Sequence, residues 1–226
     1  MTRKLISMLL AIVMLFSMVS IVSAEVATYT QSPYLDGQDL PPVADRLPVA
    51  SDVMVEEVAD IGQYTDYITL MQGGSSKWGP GKPTEEALFR FRTDGTVEPN
   101  VAKGYDVNED ATVYTIYLRK GMKWSDGEPF TAEDCRFSGR SVWGAVQAVN
   151  PETGETETAK LDIIDDYSFT MTFASSKPAF LQELAINGKW FFAPKHWLTQ
   201  YMYTYIGEDE ALKRANEMGG YTDLST

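Results

Sequence analysis

The 226-residue sequence predicts an α/β protein with mixed α+β sheets, on three observations. First, Val113 to Leu118 alternates: Tyr114, Ile116 and Leu118 share one face, and Val113, Thr115 and Tyr117 the other, the pattern of a half-buried strand rich in β-formers. Second, 160–165 and 168–173 read as two further strands joined at Asp165-Asp166, with Phe169, Met171 and Phe173 inward and Ser168, Thr170 and Thr172 outward. Third, 131–150 reads as the clearest helix. Thr131 stands as its N-cap with Asp134 three residues on, and Cys135, Gly139, Val142, Val146 and Val149 mark a buried stripe.

The elements around these follow local rules. Asn108-Glu109-Asp110 is a polar turn at a hairpin end, and Ser125-Asp126-Gly127 is a second turn after the apolar bracket Met122 and Trp124. Phe89 and Phe91 alternate with Arg90 and Arg92 as a strand, and Thr93-Asp94-Gly95 turns the chain back. Residues 179–185 form a short helix, and 208–218 a final, largely charged one. Near the start, 67–71 reads as a strand, followed by the loop Gly73 to Gly81 with Trp78 in its middle. Loops at strand ends carry ligand contacts in open α/β sheets, and a tryptophan in a glycine-rich loop offers a stacking surface. Trp78, with Ser76 beside it, is therefore the candidate ligand-binding pair; Trp78 folded back onto its own domain is the competing reading.

Composition narrows the function classes. A net charge of −13 with no basic cluster beyond the N-terminus argues against nucleic acid, whose affinity rests on neutralised phosphates. One cysteine excludes an intrachain disulfide, and Cys135 with His196 is too small a set of soft ligands for zinc. No metal or other cofactor is expected. On the helix stripe Cys135 reads as a small core hydrophobe rather than a reactive thiol. His196, without a matched nucleophile or acid, reads as a helix-entry residue. No nucleophile elbow or P-loop is present, so no catalytic residue is assigned.

The N-terminus reads as a targeting segment over 1–24. Arg3 and Lys4 supply the positive region, Leu5 to Ile21 is apolar, and Val22-Ser23-Ala24 is a small-residue cleavage site. A retained anchor is the alternative, because the apolar run is long. No cysteine follows the cut to carry a lipid, so a periplasmic or extracellular location is expected. Residues 25–60 are rich in Pro, Asp and Val without a sustained period, and read as an extended strap packed on the surface; a disordered linker is the other reading.

The string "VAKGYDVNEDATVYTIYLRKGMKWSDGEPFTAEDCRFS" resembles the signature of the family 5 extracellular solute-binding proteins, which include dipeptide- and oligopeptide-binding proteins of ABC importers. Ala102, Tyr105, Asp110, Tyr114, Leu118, Arg119, Gly121, Lys123, Trp124, Asp126, Gly127, Pro129, Thr131, Ala132, Asp134 and Phe137 fall on it. Cys135 stands where the family has an aliphatic residue and Tyr105 where it has tryptophan. The leader "LPPVADRLP" is similar to that of some members, and "APKHW" to the family's return strand and helix start. Each signature residue also has a structural job in a turn, a core or a cap, so the motif is expected to identify the fold without being the site.

The resemblance implies an incomplete type II periplasmic-binding-protein fold: 61–87 the first part of lobe I, 88–185 a small β-rich domain, and 186–226 the return into lobe I. It covers the N-terminal part of the family only, which implies a truncated fragment that lacks the second lobe and does not bind solute usefully by itself. The function implied is capture of a small solute, a peptide foremost, by a monomer that delivers it to ABC permease subunits. A secreted hydrolase is the rival class, with Glu133/Asp134 or Asp165/Asp166 as nominal acid and base. Neighbours on a strand point to opposite faces, however, and acids in a helix's first turn serve the dipole. A secreted β-rich interaction domain is the third reading.

Overall fold

The period-2 segments pair as their patterns require. In the computed structural model, which describes residues 29–56, 60, 62–65, 67, 69, 86–141, 147–149, 156–187 and 191–219, β3 (Ala102–Val107), β4 (Val113–Leu118), β7 (Lys160–Asp165) and β8 (Ser168–Thr172) form one antiparallel sheet in the order β3-β4-β8-β7. Ile116 faces Phe169 and Tyr114 faces Met171 across the β4–β8 ladder, so the inward residues of both strands fall on one side. Tyr114, Ile116, Leu118, Phe169, Met171 and Phe173 are all buried there. Each such side chain removed from water contributes roughly 1.5–3 kcal/mol, so this face is the main source of stability.

Helices cover that face. α2 (Ala132–Ser141) buries Ala132, Cys135 and Phe137, and α3 (Phe180–Asn187) drives Phe180 against Tyr114 and Phe173 at ring separations of 5.0 and 4.8 Å. The Tyr114 hydroxyl, carried into the core on an aromatic ring, donates to the Lys177 carbonyl at 2.8 Å, so its burial leaves no polar atom unpaired. A two-stranded hairpin, β1 (Phe89–Phe91) with β2 (Val97–Pro99), precedes the sheet, and Arg90 and Arg92 both grip Glu98 across it. The β3–β4 turn is tied by Asn108, whose Oδ1 accepts the N–H groups of Thr112 and Val113 at 2.9 and 2.8 Å. Ala111 closes that turn at φ +54°, left-handed for a residue with a Cβ.

One expectation is corrected. The helix predicted over 131–150 is described over Ala132–Ser141, and Gln147–Val149 is instead β5, paired antiparallel with β6 (Thr156–Thr158). Cys135 is buried as expected, but steps of three and four do not exclude a strand when the residues are valines. Val149, Thr156 and Thr158 are β-branched, and Asn150 precedes Pro151, which disfavours helical backbone there. Val142 and Val146 lie outside the described residues, as does Trp143. Ser168, expected outward, points to the outer face yet is buried, because Asp165 and Tyr167 close round that end of the sheet.

The last described section is α4 (Lys195–Leu198), α5 (Tyr203–Ile206) and α6 (Glu208–Gly219), the final helix opening with Glu208, Asp209 and Glu210 where the helix dipole favours acids. The N-terminal strap enters with a short helix, α1 (Val43–Arg46), and a 3-10 turn at Ala50–Asp52. Residues from Gln31 onward form one compact unit; of the other, Met1–Thr30, only Tyr29 and Thr30 are described, so the targeting segment lies outside. The strand expected over 67–71 also falls largely outside the described residues.

Candidate functional site

Trp78 and Ser76, the ligand-binding candidates of the sequence, both lie outside the described residues. What the structure brings together is a shallow groove of about 480 Å³ at one end of the four-stranded sheet, walled by Tyr105, Tyr117, Lys120, Asp165 and Tyr167, with Asp52 of the strap closing one side. The sheet register places Tyr117 on the outer face, opposite Ser168 and beside β3, where its hydroxyl donates to Asp106 at 2.6 Å. That contact holds the Tyr117 hydroxyl above the usual tyrosine range.

Asp52 is the polar centre of this corner. It is 2% exposed, and its carboxylate accepts from Lys103 Nζ at 2.6 Å, the Lys120 N–H at 2.8 Å and Ser51 Oγ at 3.0 Å. Burial pushes its carboxyl up, but these donors together outweigh burial and hold it below the ordinary aspartate value. Arg119 adds a hydrogen bond from Nη1 to the Asp52 carbonyl at 2.9 Å, and the Val49 N–H donates to the Lys120 carbonyl at 2.9 Å. Gly121 makes the approach possible: it sits at φ +79°, and a Cβ there would lie 3.1 Å from the Val49 nitrogen.

A second buried carboxylate organises the signature itself. Asp134, 4% exposed, accepts Trp124 Nε1–H at 3.2 Å and the Thr131 N–H at 2.9 Å on one oxygen, and the Lys195 N–H at 3.1 Å on the other. The Thr131 contact is the side-chain-to-backbone half of the predicted capping box, made here by aspartate. Through the other two, one side chain ties the tryptophan turn, the start of α2 and the return helix α4 together. His196, on α4 as expected, places Nε2 2.7 Å from Asp126 Oδ2, and this contact is the main reason the Asp126 carboxyl is held below its usual value.

The acidic pairs of the hydrolase reading are engaged otherwise. Glu133 is gripped by Arg136 at 2.7 Å and Lys195 at 3.1 Å; burial raises its carboxyl, but these two cations outweigh it and lower it. Asp165 accepts the Tyr167 N–H at 2.8 Å, which with Ser168 holds its carboxyl low. A proton donor at neutral pH needs the opposite shift. Cys135 is fully buried, and desolvation raises its thiol well above the reactive range. Among the described residues no group of three His, Cys, Asp or Glu is placed to hold a metal ion.

Sequence reasoning missed Asp52, Lys103 and Lys120. Their contacts join residues 51 and 68 positions apart, and an aspartate in a proline-rich strap carries no periodicity that would single it out.

This antiparallel sheet with its covering helices is part of a type II periplasmic-binding-protein fold. Over 84% of its length the chain superposes on a solved oligopeptide-binding protein OppA with a TM-score of 0.68 and 30% identity, covering 31% of that chain. Residues 96–216 match the family model described as bacterial extracellular solute-binding proteins, family 5 middle, and the chain belongs to that family. Its sequence is 30% identical over 195 residues to the periplasmic alpha-galactoside-binding protein of Rhizobium meliloti, covering 74% of this chain and 28% of the relative. It is 26% identical over 154 residues to the probable D,D-dipeptide-binding periplasmic protein DdpA of Escherichia coli, covering 65% of this chain and 30% of the relative. The chain thus spans less than a third of the length of these proteins. They are named as binding proteins, not as enzymes.

Proposed function

We propose that this chain is part of the extracytoplasmic solute-binding component of an ABC import system, which captures a peptide or similar small solute and delivers it to the permease. The family match over 96–216 carries the reading. The segment 1–24, which reads as an export signal, supports action outside the cytoplasm, and we propose that the protein acts as a monomer. Peptide is the preferred solute because two of the three relatives described are named for peptides, while the third is named for an α-galactoside. One scaffold serves several ligands, so the site and not the fold decides.

Within this chain we assign Trp78 and Ser76 to the solute site, on a loop where an aromatic face and a small hydroxyl serve stacking and hydrogen bonding. The test is calorimetry of the protein encoded by the complete reading frame, titrated separately with a peptide mixture and with a galactosyl oligosaccharide. Saturable heat with peptides is expected, weakened about tenfold by Trp78→Ala, in keeping with roughly 0.5–1.5 kcal/mol for an aromatic pair beyond its burial. Heat with the oligosaccharide alone would overturn the peptide assignment; heat with neither would overturn the binding role. An undiminished Trp78→Ala titration would remove Trp78 from the site.

A further inference from the structure

We infer that the strap 31–55 is a releasable latch, docked on the sheet through the Asp52 carboxylate and able to open while the sheet stays folded. The strap docks where β3 begins and β4 ends, yet contributes no buried apolar side chain: among its residues Asp52 is the one that is buried. Its regular pieces are a four-residue helix and two 3-10 turns, too short to be stable without docking. What holds it is polar: Lys103 and the Lys120 N–H on the Asp52 carboxylate, Arg119 on the Asp52 carbonyl, the Val49 N–H on the Lys120 carbonyl, and Lys123 Nζ on the Asp45 carbonyl. Segments with few buried apolar contacts and solvent-reachable hydrogen bonds open locally, ahead of global unfolding. Opening would take Asp52 out of the groove wall and leave Lys103 and Lys120, which line it, without that carboxylate, so the state of the latch sets the shape and charge of the groove.

The contributions within the clasp are unequal. Lys103 is 48% exposed, so its ion pair with Asp52 is screened by water and salt. The backbone donors are not, and a hydrogen bond to a charged group inside protein is the stronger kind. The carboxylate is therefore the anchor and the lysine its helper.

The experiment is native-state hydrogen exchange on the whole chain over a denaturant series, with tryptic cleavage after Arg46 as a second readout. In the unaltered protein the Val49 and Asp52 amides should exchange through an opening that leaves the Ile116 and Phe169 amides protected. Exchange of all four only through global unfolding would overturn the latch. Asp52→Asn should raise Val49 exchange and Arg46 cleavage about 30-fold, as expected for losing a hydrogen-bonded charge, with the sheet amides unmoved. Lys103→Gln should raise them only about two- to threefold. An unchanged strap in Asp52→Asn, or sheet amides that loosen in step with it, would refute Asp52 as the anchor; should that variant fail to fold, the unaltered protein's exchange pattern still decides.

Discussion

The four-stranded sheet and the strap lie side by side but are held by different forces. On the sheet, Phe169 is wholly buried and stacks against Phe191 at 5.9 Å, one of many apolar contacts that no single change can abolish. On the strap, the docking is a handful of polar contacts centred on the one buried side chain, the Asp52 carboxylate. Apolar burial is non-directional and shared among many side chains, whereas a polar clasp is directional and depends on every partner. Loss of one apolar side chain therefore weakens the sheet by degrees, whereas loss of the Asp52 carboxylate should undock the strap as a unit.

The largest effect should come from Phe169→Ala, which empties the middle of the sheet and is expected to cost about 3–5 kcal/mol in urea unfolding. A loss under about 1 kcal/mol would mean the face repacks and is not the close-fitted core described. Asp134→Ala should follow at about 3 kcal/mol, since it strands the Trp124 indole N–H and two backbone donors in a buried place. Its particular mark is a shifted Trp124 emission spectrum; global destabilisation with an unmoved spectrum would show that the tryptophan tie is not what Asp134 contributes.

Acid should separate the two regions next. The folded Asp52 carboxyl sits below its ordinary value of 3.8, so its stabilisation is complete above that value and is lost as pH falls through the lower folded value. Strap exchange, corrected for the intrinsic pH effect, should therefore be flat above about pH 5 and rise only below about pH 4. A rise centred near neutrality would assign the control to another group. The smallest effect is expected from Ala111→Gly, where relief of about 1–2 kcal/mol of left-handed strain is offset by about 0.4–1 kcal/mol of added unfolded-chain entropy. A net gain of about half a kcal/mol in the sheet's unfolding energy, with no change in strap exchange, would confirm that the two regions are energetically distinct.

Much of the sheet was legible in the chain. Period-2 alternation is a local signal, and Tyr114, Ile116, Leu118, Phe169, Met171 and Phe173 all face inward as the pattern requires. The turns at Asn108 and Gly127 and the helix entry at Thr131 rest on nearest-neighbour chemistry and were legible for the same reason, whereas the helix start at Lys195 was legible through the family resemblance. The family signature was readable because its residues are contiguous. The strand at Gln147–Val149 was not, because a valine-rich stretch satisfies both periods until a partner strand is present to choose between them. Of the site, the two residues the sequence proposed are not among those described, and the groove the structure presents was proposed by no sequence feature.

By itself, then, the sequence determined what depends on neighbours a few positions apart: strand faces, turns, caps, and the motif that places the chain in its family. Only the tertiary structure decided where Asp52 goes, that Asp134 gathers donors from three elements, and that a groove opens at the sheet's end. Those outcomes depend on charges and backbone groups up to 68 positions apart, whose meeting no local pattern encodes.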